Sequence, residues 1–371
     1  MKLLINTSNL KKGGALQVAH SFLTEIKENT EHFFHVVLST ALSEQINTQE
    51  FSPNFTFYNY AIDLGILNIT IGKDSFLDSL ENKIKPDKVF SVFGPTYWKP
   101  KTTHIAGYAK PQYIYKNSPF FDILSTKEKF KLKISEIIHL HNFKRFCDIL
   151  ITETHDVTSS LQKIFGNKKQ IYTVTNFYNQ IFDTPHLWSK EIQLPDFDGY
   201  SLLTIASNYP HKNLNIIPKV VKHLMHKEPE MKFRFILTID KSELNEQNPE
   251  VLNHIVFLGK VNIYQCPNLY KQVDFMFLPT LLECFSASYP EAMRMEKPIL
   301  TSNLSFAQGL CGGAAVYFNP LNPEDIANKI SELINNKDKQ KEIIKNGVKQ
   351  LRNFDTASER ARKYIEIIEH A

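Results

Sequence analysis

The chain has 371 residues, 42% hydrophobic and 22% charged, with a net charge of +4. These proportions exclude wholesale disorder and describe a globular chain too long for one ordinary core, so two domains are expected. Without a zinc-finger or RNP-like pattern the mild positive charge gives no footing for nucleic acid, and no apolar run approaches a membrane span. Cys147, Cys266, Cys284 and Cys311 are widely spaced with no C-x-x-C pair. Neither a disulfide framework nor a zinc site is expected, and a reducing cytoplasm fits. The opening Met1–Thr7 has too short an apolar run for a signal peptide and reads as a first strand.

From the N-terminus, the strand Leu3–Asn6 leads through Asn9-Leu10-Lys11-Lys12-Gly13-Gly14-Ala15 into the amphipathic helix Leu16–Lys27. Gly13 and Gly14 at a strand-to-helix turn let backbone approach a ligand, and the helix start suits phosphate. The pattern is neither G-x-G-x-x-G nor a Walker loop, and a tight turn without ligand fits as well. Strands follow at Phe33–Ser39, Phe55–Ala61 and Lys88–Phe93. His104 ends a short stretch after Phe93-Gly94-Pro95 and reads either as a structural histidine or as a ligand contact; His155, beyond the strand Asp148–Thr152, is a weaker candidate. Between them, Lys127, Lys129, Lys131, Lys133, Lys144 and Arg145 outnumber Glu128 and Glu136, while Phe130, Ile134, Ile137, Ile138 and His141 fall at helical spacing. Lys127–Arg145 is therefore either a basic amphipathic helix for an anionic membrane surface or a core helix with a solvated lysine face.

Pro185–Gly199 breaks any regular pattern and is the expected linker. Its Asp196-Phe197-Asp198 resembles a metal-holding pair but precedes a strand instead of ending one, so no metal site is expected. Beyond it come strands at Leu202–Ala206, Phe233–Thr238, Ile255–Gly259, Phe275–Leu278, Ile299–Thr301 and Ala315–Phe318, with a helix at Ile216–Met225. Strands alternating with helices predict an α/β chain of two doubly wound parallel sheets. Lys212 stands just past the Leu202–Ala206 strand, where a cation can neutralise a diphosphate. Glu283 and Glu291 stand eight positions apart, the first after a strand and the second opening a helix. Carboxylates accept from sugar hydroxyls and repel phosphate, so such a pair can serve a sugar nucleotide. Alternatively, an acid at a helix start merely complements the helix dipole.

Lys212-Asn213-Leu214, Glu283 through Glu291, Glu296-Lys297-Pro298-Ile299 and Ala314–Pro320 together resemble the retaining GT-B glycosyltransferases of glycosyltransferase family four, across about residues 200 to 350. Cys284, Ser286, Ser288 and Gln308 depart from that family's usual glycines, proline and glutamate. The resemblance implies two Rossmann-like domains facing across a cleft: 1–185 on the acceptor side, 186–352 for the nucleotide sugar, and a final helix in 353–371 crossing back. It implies that Lys212 and Asn213 grip the diphosphate beside Gly13, Gly14 and the backbone of Phe285, Ser286 and Ala287. Glu291 would hold the ribose, Glu283 the donor sugar, and His104 the same sugar from the first domain. The implied activity is metal-independent, retaining hexosyl transfer from a nucleotide diphosphate sugar, with no other cofactor, to a bacterial surface glycan or glycolipid such as lipopolysaccharide. The expected setting, from the cysteines, is cytoplasmic, and at the inner face of the membrane if Lys127–Arg145 is the basic amphipathic helix and not a solvated lysine face. The rivals are a GT-B nucleotide-sugar epimerase and a non-catalytic glycan- or nucleotide-sugar-binding subunit.

Overall fold

Among the described residues, short runs of apolar, aromatic and β-branched residues form thirteen strands, each paired in parallel with its neighbours. The structure, a computed structural model, describes every residue except Lys12 and Asn167. Lys12 belongs to the glycine turn singled out in the sequence, so that part of the turn lies outside the described residues.

The chain divides into two compact units: Met1–Ile114 with Leu124–Asn176 and Asp355–Ala371, and Tyr115–Ile123 with Phe177–Phe354. The first holds β1 (Lys2–Asn6), β2 (Phe33–Ser39), β3 (Phe55–Tyr60), β4 (Lys88–Ser91), β5 (His104–Gly107), β6 (Ile149–Thr152) and β7 (Gln170–Thr173). Their order in the sheet is β3-β2-β1-β4-β5-β6-β7. The second holds β8 (Tyr200–Thr204), β9 (Phe233–Leu237), β10 (Ile255–Phe257), β11 (Phe275–Leu278), β12 (Ile299–Ser302) and β13 (Ala315–Phe318), in the order β10-β9-β8-β11-β12-β13.

Side chains alternate across each strand. In the second sheet Leu202, Phe235, Phe275, Phe277 and Leu300 enter one core. Leu203, Ile236, Met276, Leu278 and Ile299 enter the other. Both faces are thus buried, as parallel sheets require, and this is why these strands read as continuous apolar runs. The strands absent from the sequence reading are β5 and β7. β7 is an edge strand with exposed Gln170 and Tyr172, so it shows no apolar run. His104 opens β5 instead of ending a segment.

The chain passes to the second unit at Asn176/Phe177, before the expected linker. Tyr178, Ile181 and Phe182 are core residues of the second unit, and Trp188, Ile192 and Leu194 pack onto that core. Trp188 Nε1 donates to Ile181 O at 2.6 Å. The prolines in this stretch mark irregular backbone, not freedom. The chain returns at Asp355, whose N–H donates to Thr175 Oγ1 at 2.6 Å while Thr175 N–H donates to Asp355 Oδ2 at 3.0 Å. A capping box of Thr356 and Glu359 then starts the helix Ala357–Glu369. Tyr364 closes an aromatic triad with Phe22 and Phe90 at centroid distances of 5.4–5.5 Å, and Arg360 reaches Asn176 and Ser21. Among the described residues no helix is long and apolar enough to cross a membrane.

Glu296, exposed at the turn into β12, has φ 54°. This left-handed backbone favours glycine. Glu296→Gly is expected to raise stability by about 0.5–1 kcal/mol, read as a higher midpoint in urea unfolding; an unchanged or lower midpoint would show that the turn is not strained.

Candidate functional site

β8 and β11 are neighbours at the centre of the second sheet, where the strand order reverses. The loops leaving their C-terminal ends meet there, at the crevice where doubly wound sheets bind ligands. After β8 a short turn, Pro210–Lys212, ends on Asn213 in the left-handed region at φ 57° and ψ 32°. Asn tolerates that region better than other side-chain-bearing residues do. Asn213 Nδ2 also donates to Pro320 O at 2.8 Å, which fixes the turn to the segment after β13. Asn213 is therefore a shaping residue whose side chain is already used.

Lys212 emerges from this turn and its Nζ donates to Glu283 Oε1, 71 residues further along the chain. The two side chains are 16% and 11% exposed, so the pair is only partly solvated. Thr280 Oγ1 donates to the same carboxylate oxygen at 3.0 Å. Leu281 N–H donates to His211 O at 2.7 Å, lacing the two loops together beneath the pair. His211 stacks on Tyr209 at 5.6 Å, and burial lowers its pKa, which keeps a second cation away from Lys212.

Glu291 lies on the helix Ser288–Arg294, which runs from the β11 loop toward β12. Its carboxylate accepts from Tyr270 Oη at 3.3 Å, and Tyr270 also donates to Ser288 O at 3.3 Å. Burial pushes the carboxyl up to about 7, against the opposing pulls of Tyr270 and Lys212. A group held near neutrality in a crevice with so few partners is a candidate for binding chemistry. The helix is anchored by Tyr289, whose hydroxyl meets Thr301 Oγ1 at 2.8 Å, while Thr301 donates to Leu278 O at 3.0 Å. The first helical hydrogen bonds run from Tyr289 N–H to Ser286 O and from Glu291 N–H to Ala287 O. The amides of Phe285, Ser286 and Ala287 thus precede the hydrogen-bonded part of the helix. The Phe285 side chain packs edge-on to Phe354 at 5.7 Å.

The structure therefore brings Lys212, Asn213, Glu283, Phe285, Ser286, Ala287 and Glu291 together in the second unit. Gly13, Gly14 and His104 lie in the first. Gly13 needs its glycine, at φ 78°, and Gly14 opens the helix Gly14–Ile26 with open space where a Cβ would be. His104 is buried, with Nε2 2.8 Å from Ser91 Oγ and Nδ1 against Phe146 O. Burial lowers its pKa to about 4, so the ring is neutral. Both ring nitrogens are engaged, and this histidine is a core residue instead of a group open to a sugar. Asp198 is spent in an exposed ion pair with Lys232 at 2.8 Å.

Two features escaped the sequence reading. Tyr270 and Thr280 orient the two acids, yet neither stands in a motif. The first unit also has a recess of about 120 Å³ at the ends of β1, β3 and β4, lined by Asn9, Tyr60, Asp74, Tyr97 and Trp98 among others. Asn9 Nδ2 donates to Phe93 O and Pro95 O, while its Oδ1 is buried without a hydrogen-bond partner.

Residues 189–350, the stretch that holds this site, match the family described as Glycosyl transferases group 1. Over 168 residues the chain is 27% identical to an uncharacterized glycosyltransferase of Methanocaldococcus jannaschii, covering 43% of this chain and 45% of that protein; the match thus spans less than half of its relative. The whole chain is similar in fold to a glycosyltransferase from Rickettsia africae, with a TM-score of 0.72 at 16% identity, covering 100% of this chain and 98% of the other. It is also similar to HepE of Anabaena, solved in complex with UDP and glucose, with a TM-score of 0.68 at 14% identity and coverage of 100% and 99%. The two parallel sheets have the GT-B fold, and the second of them lies within the segment that matches glycosyl transferases group 1.

Proposed function

We propose that the protein is a metal-independent, retaining glycosyltransferase that uses a nucleoside diphosphate sugar. The observation that carries this reading is the Lys212–Glu283 pair at the switch point of the second sheet, with the buried Glu291 eight residues beyond Glu283. Glu291 holds the ribose hydroxyls, because a buried carboxylate with one weak partner has acceptor capacity to spare. Lys212 exchanges its bond to Glu283 for the diphosphate, and Glu283 is then released to the hydroxyls of the donor sugar. Negative charge grows on the diphosphate as the glycosidic bond breaks, and a cation already aimed there stabilises that charge. The amides of Phe285, Ser286 and Ala287 add dipoles of the same sign. The acceptor is a surface glycan or glycolipid, and the recess beside Asn9 supports an acceptor-side role for the first unit. The likeness to HepE makes UDP-glucose the first donor to test. Thermal melting across a panel of nucleotide sugars is the screen: a donor raises the midpoint by mass action, and no shift with any of them would remove the proposal.

Glu291→Ala is expected to weaken donor binding by about 1.5–3 kcal/mol, measured by calorimetry on the folded variant. The pH dependence follows from the raised pKa of about 7. In the empty site the protonated form adds stability below the ordinary carboxylate range, and this is lost as the pH rises through about 7. Ribose hydroxyls favour the carboxylate, so donor affinity falls on acidification below that point by at most about tenfold per pH unit. Glu291→Gln should flatten this profile; a profile unchanged in the variant would assign the titration elsewhere.

Lys212→Ala should lower kcat, followed as nucleoside diphosphate released from the donor, by about a hundredfold. It also leaves Glu283 half-desolvated without its cation, at a cost of about 1–3 kcal/mol in stability. The double variant Lys212→Met with Glu283→Gln should recover stability and not turnover. Recovery of both would reduce the pair to a structural ion pair.

A further inference from the structure

Residues 115–123 lie in the sequence between β5 and the helix Thr126–Phe146, both elements of the first unit, yet this segment folds with the second. Its own residues shape it into one tight turn. Ser118 caps the turn by accepting from Phe120 N–H at 3.1 Å, and Pro119 takes the first helical position, where no N–H is needed. Phe121 N–H then donates to Ser118 O at 3.1 Å, and Asp122 N–H to Pro119 O at 3.0 Å. Tyr115 seats the segment on the core of the second unit, its ring 6.0 Å from that of Phe306.

The turn delivers Ser118 to the loop that carries Glu283. Ser118 Oγ donates to Leu281 O at 2.6 Å, and both residues are buried. Residues 279–287, between β11 and the helix Ser288–Arg294, form neither helix nor strand, so bonds from elsewhere must hold them. Leu281 N–H is bonded to His211 O, and Thr280 Oγ1 to the same carbonyl and to Glu283. Ser118 supplies the donor for the Leu281 carbonyl from outside both loops. Phe120 lies edge-on to His211 at 6.3 Å, which sets the same segment against the turn of Lys212.

We infer that Ser118 is a positioning residue for Glu283. This rests on the donor-sugar role proposed above for Glu283. Leu281 stands two residues before Glu283, so the place of its carbonyl sets where the carboxylate can reach. Without the Ser118 hydroxyl a buried carbonyl is left unpaired, and the loop must move to satisfy it. The other donor groups keep their own anchors: Asn213 holds the Lys212 turn to Pro320 O, and Tyr289 with Thr301 holds the helix of Glu291. Loss of Ser118 should therefore displace the partner of the sugar and leave the partners of the diphosphate and ribose in place. A bond that only completed the core would lower stability without separating sugar from nucleotide.

The test compares the parent with Ser118→Ala, which removes one oxygen, at a temperature well below the melting midpoint of both. Turnover is read as nucleoside diphosphate released from the donor that the melting screen selects, UDP-glucose first. Calorimetry with the free nucleoside diphosphate gives the affinity of the site without the sugar. Ser118→Ala is expected to keep that affinity within about twofold and to lose about tenfold in kcat. In a Glu283→Ala background it should add no further loss, because a residue that acts through Glu283 then has nothing left to position. Ser118→Ala turning over as the parent does would overturn the inference. So would an equal loss of nucleoside diphosphate affinity and kcat, or two losses that multiply in the double variant. Normal turnover by Glu283→Ala alone would instead remove the donor-sugar role of that residue, and the role of Ser118 with it.

Discussion

Parallel strands cannot be joined by tight turns, so each connection must leave the sheet, cross it and re-enter at the opposite end. Both sheets obey this constraint throughout, and the candidate site depends on it. All strand C-termini in a sheet emerge along one edge, and at the centre of the second sheet the order reverses between β8 and β11. The chain continues from these two strands toward opposite faces of the sheet, and the loops that leave them meet at the crevice of the switch point, joined by the bonds of Thr280 and Leu281 to the His211 carbonyl. Lys212 and Glu283 are 71 residues apart in the chain and bonded in the fold for this reason alone.

The site is held in shape by groups that do not themselves face a ligand. Asn213 supplies a left-handed turn, Thr280 bonds both the His211 carbonyl and Glu283, and Tyr289 with Thr301 pins the helix of Glu291 to β11. These hydrogen bonds hold the two loops and the helix in place without filling the crevice. Glu291 differs in degree: a buried carboxyl with a long contact to Tyr270 and a distant cation. Burial raises its pKa, and the bond from Tyr270 and the charge of Lys212 only partly offset that rise.

The return of the C-terminal helix has a comparable logic. The helix Ala357–Glu369 is part of the first unit's core through Tyr364, Arg360 and the Asp355–Thr175 clasp. After Asn176 the chain leaves the first unit and re-enters it at Asp355, and the first-unit residues Thr175 and Asp355 at these two points are hydrogen-bonded to each other. The first unit completes its core only when the last residues are present, so truncating them would expose Phe22 and Phe90.

Alternation of apolar runs and helix-like stretches was sufficient to show two parallel sheets, because strands buried on both faces must be apolar along their whole length. The eight-residue spacing of Glu283 and Glu291 and the lysine after β8 were equally visible, since strand ends and helix starts are local features. Other decisions belonged to the tertiary structure. Edge strand β7 carries no apolar run, and Pro185–Gly199 looks like a linker until Trp188, Ile192 and Leu194 are seen against the second core. His104 is a core residue because Ser91 and the Phe146 carbonyl surround it, which nothing in its neighbouring sequence records. The spacing of Phe130, Ile134 and Ile137 established one stripe on one helix, but not which way it faces. That depended on which side of the helix packs against the rest of the unit, and Phe143 and Phe146 took the inward side, because burial is a property of the neighbours and not of the period.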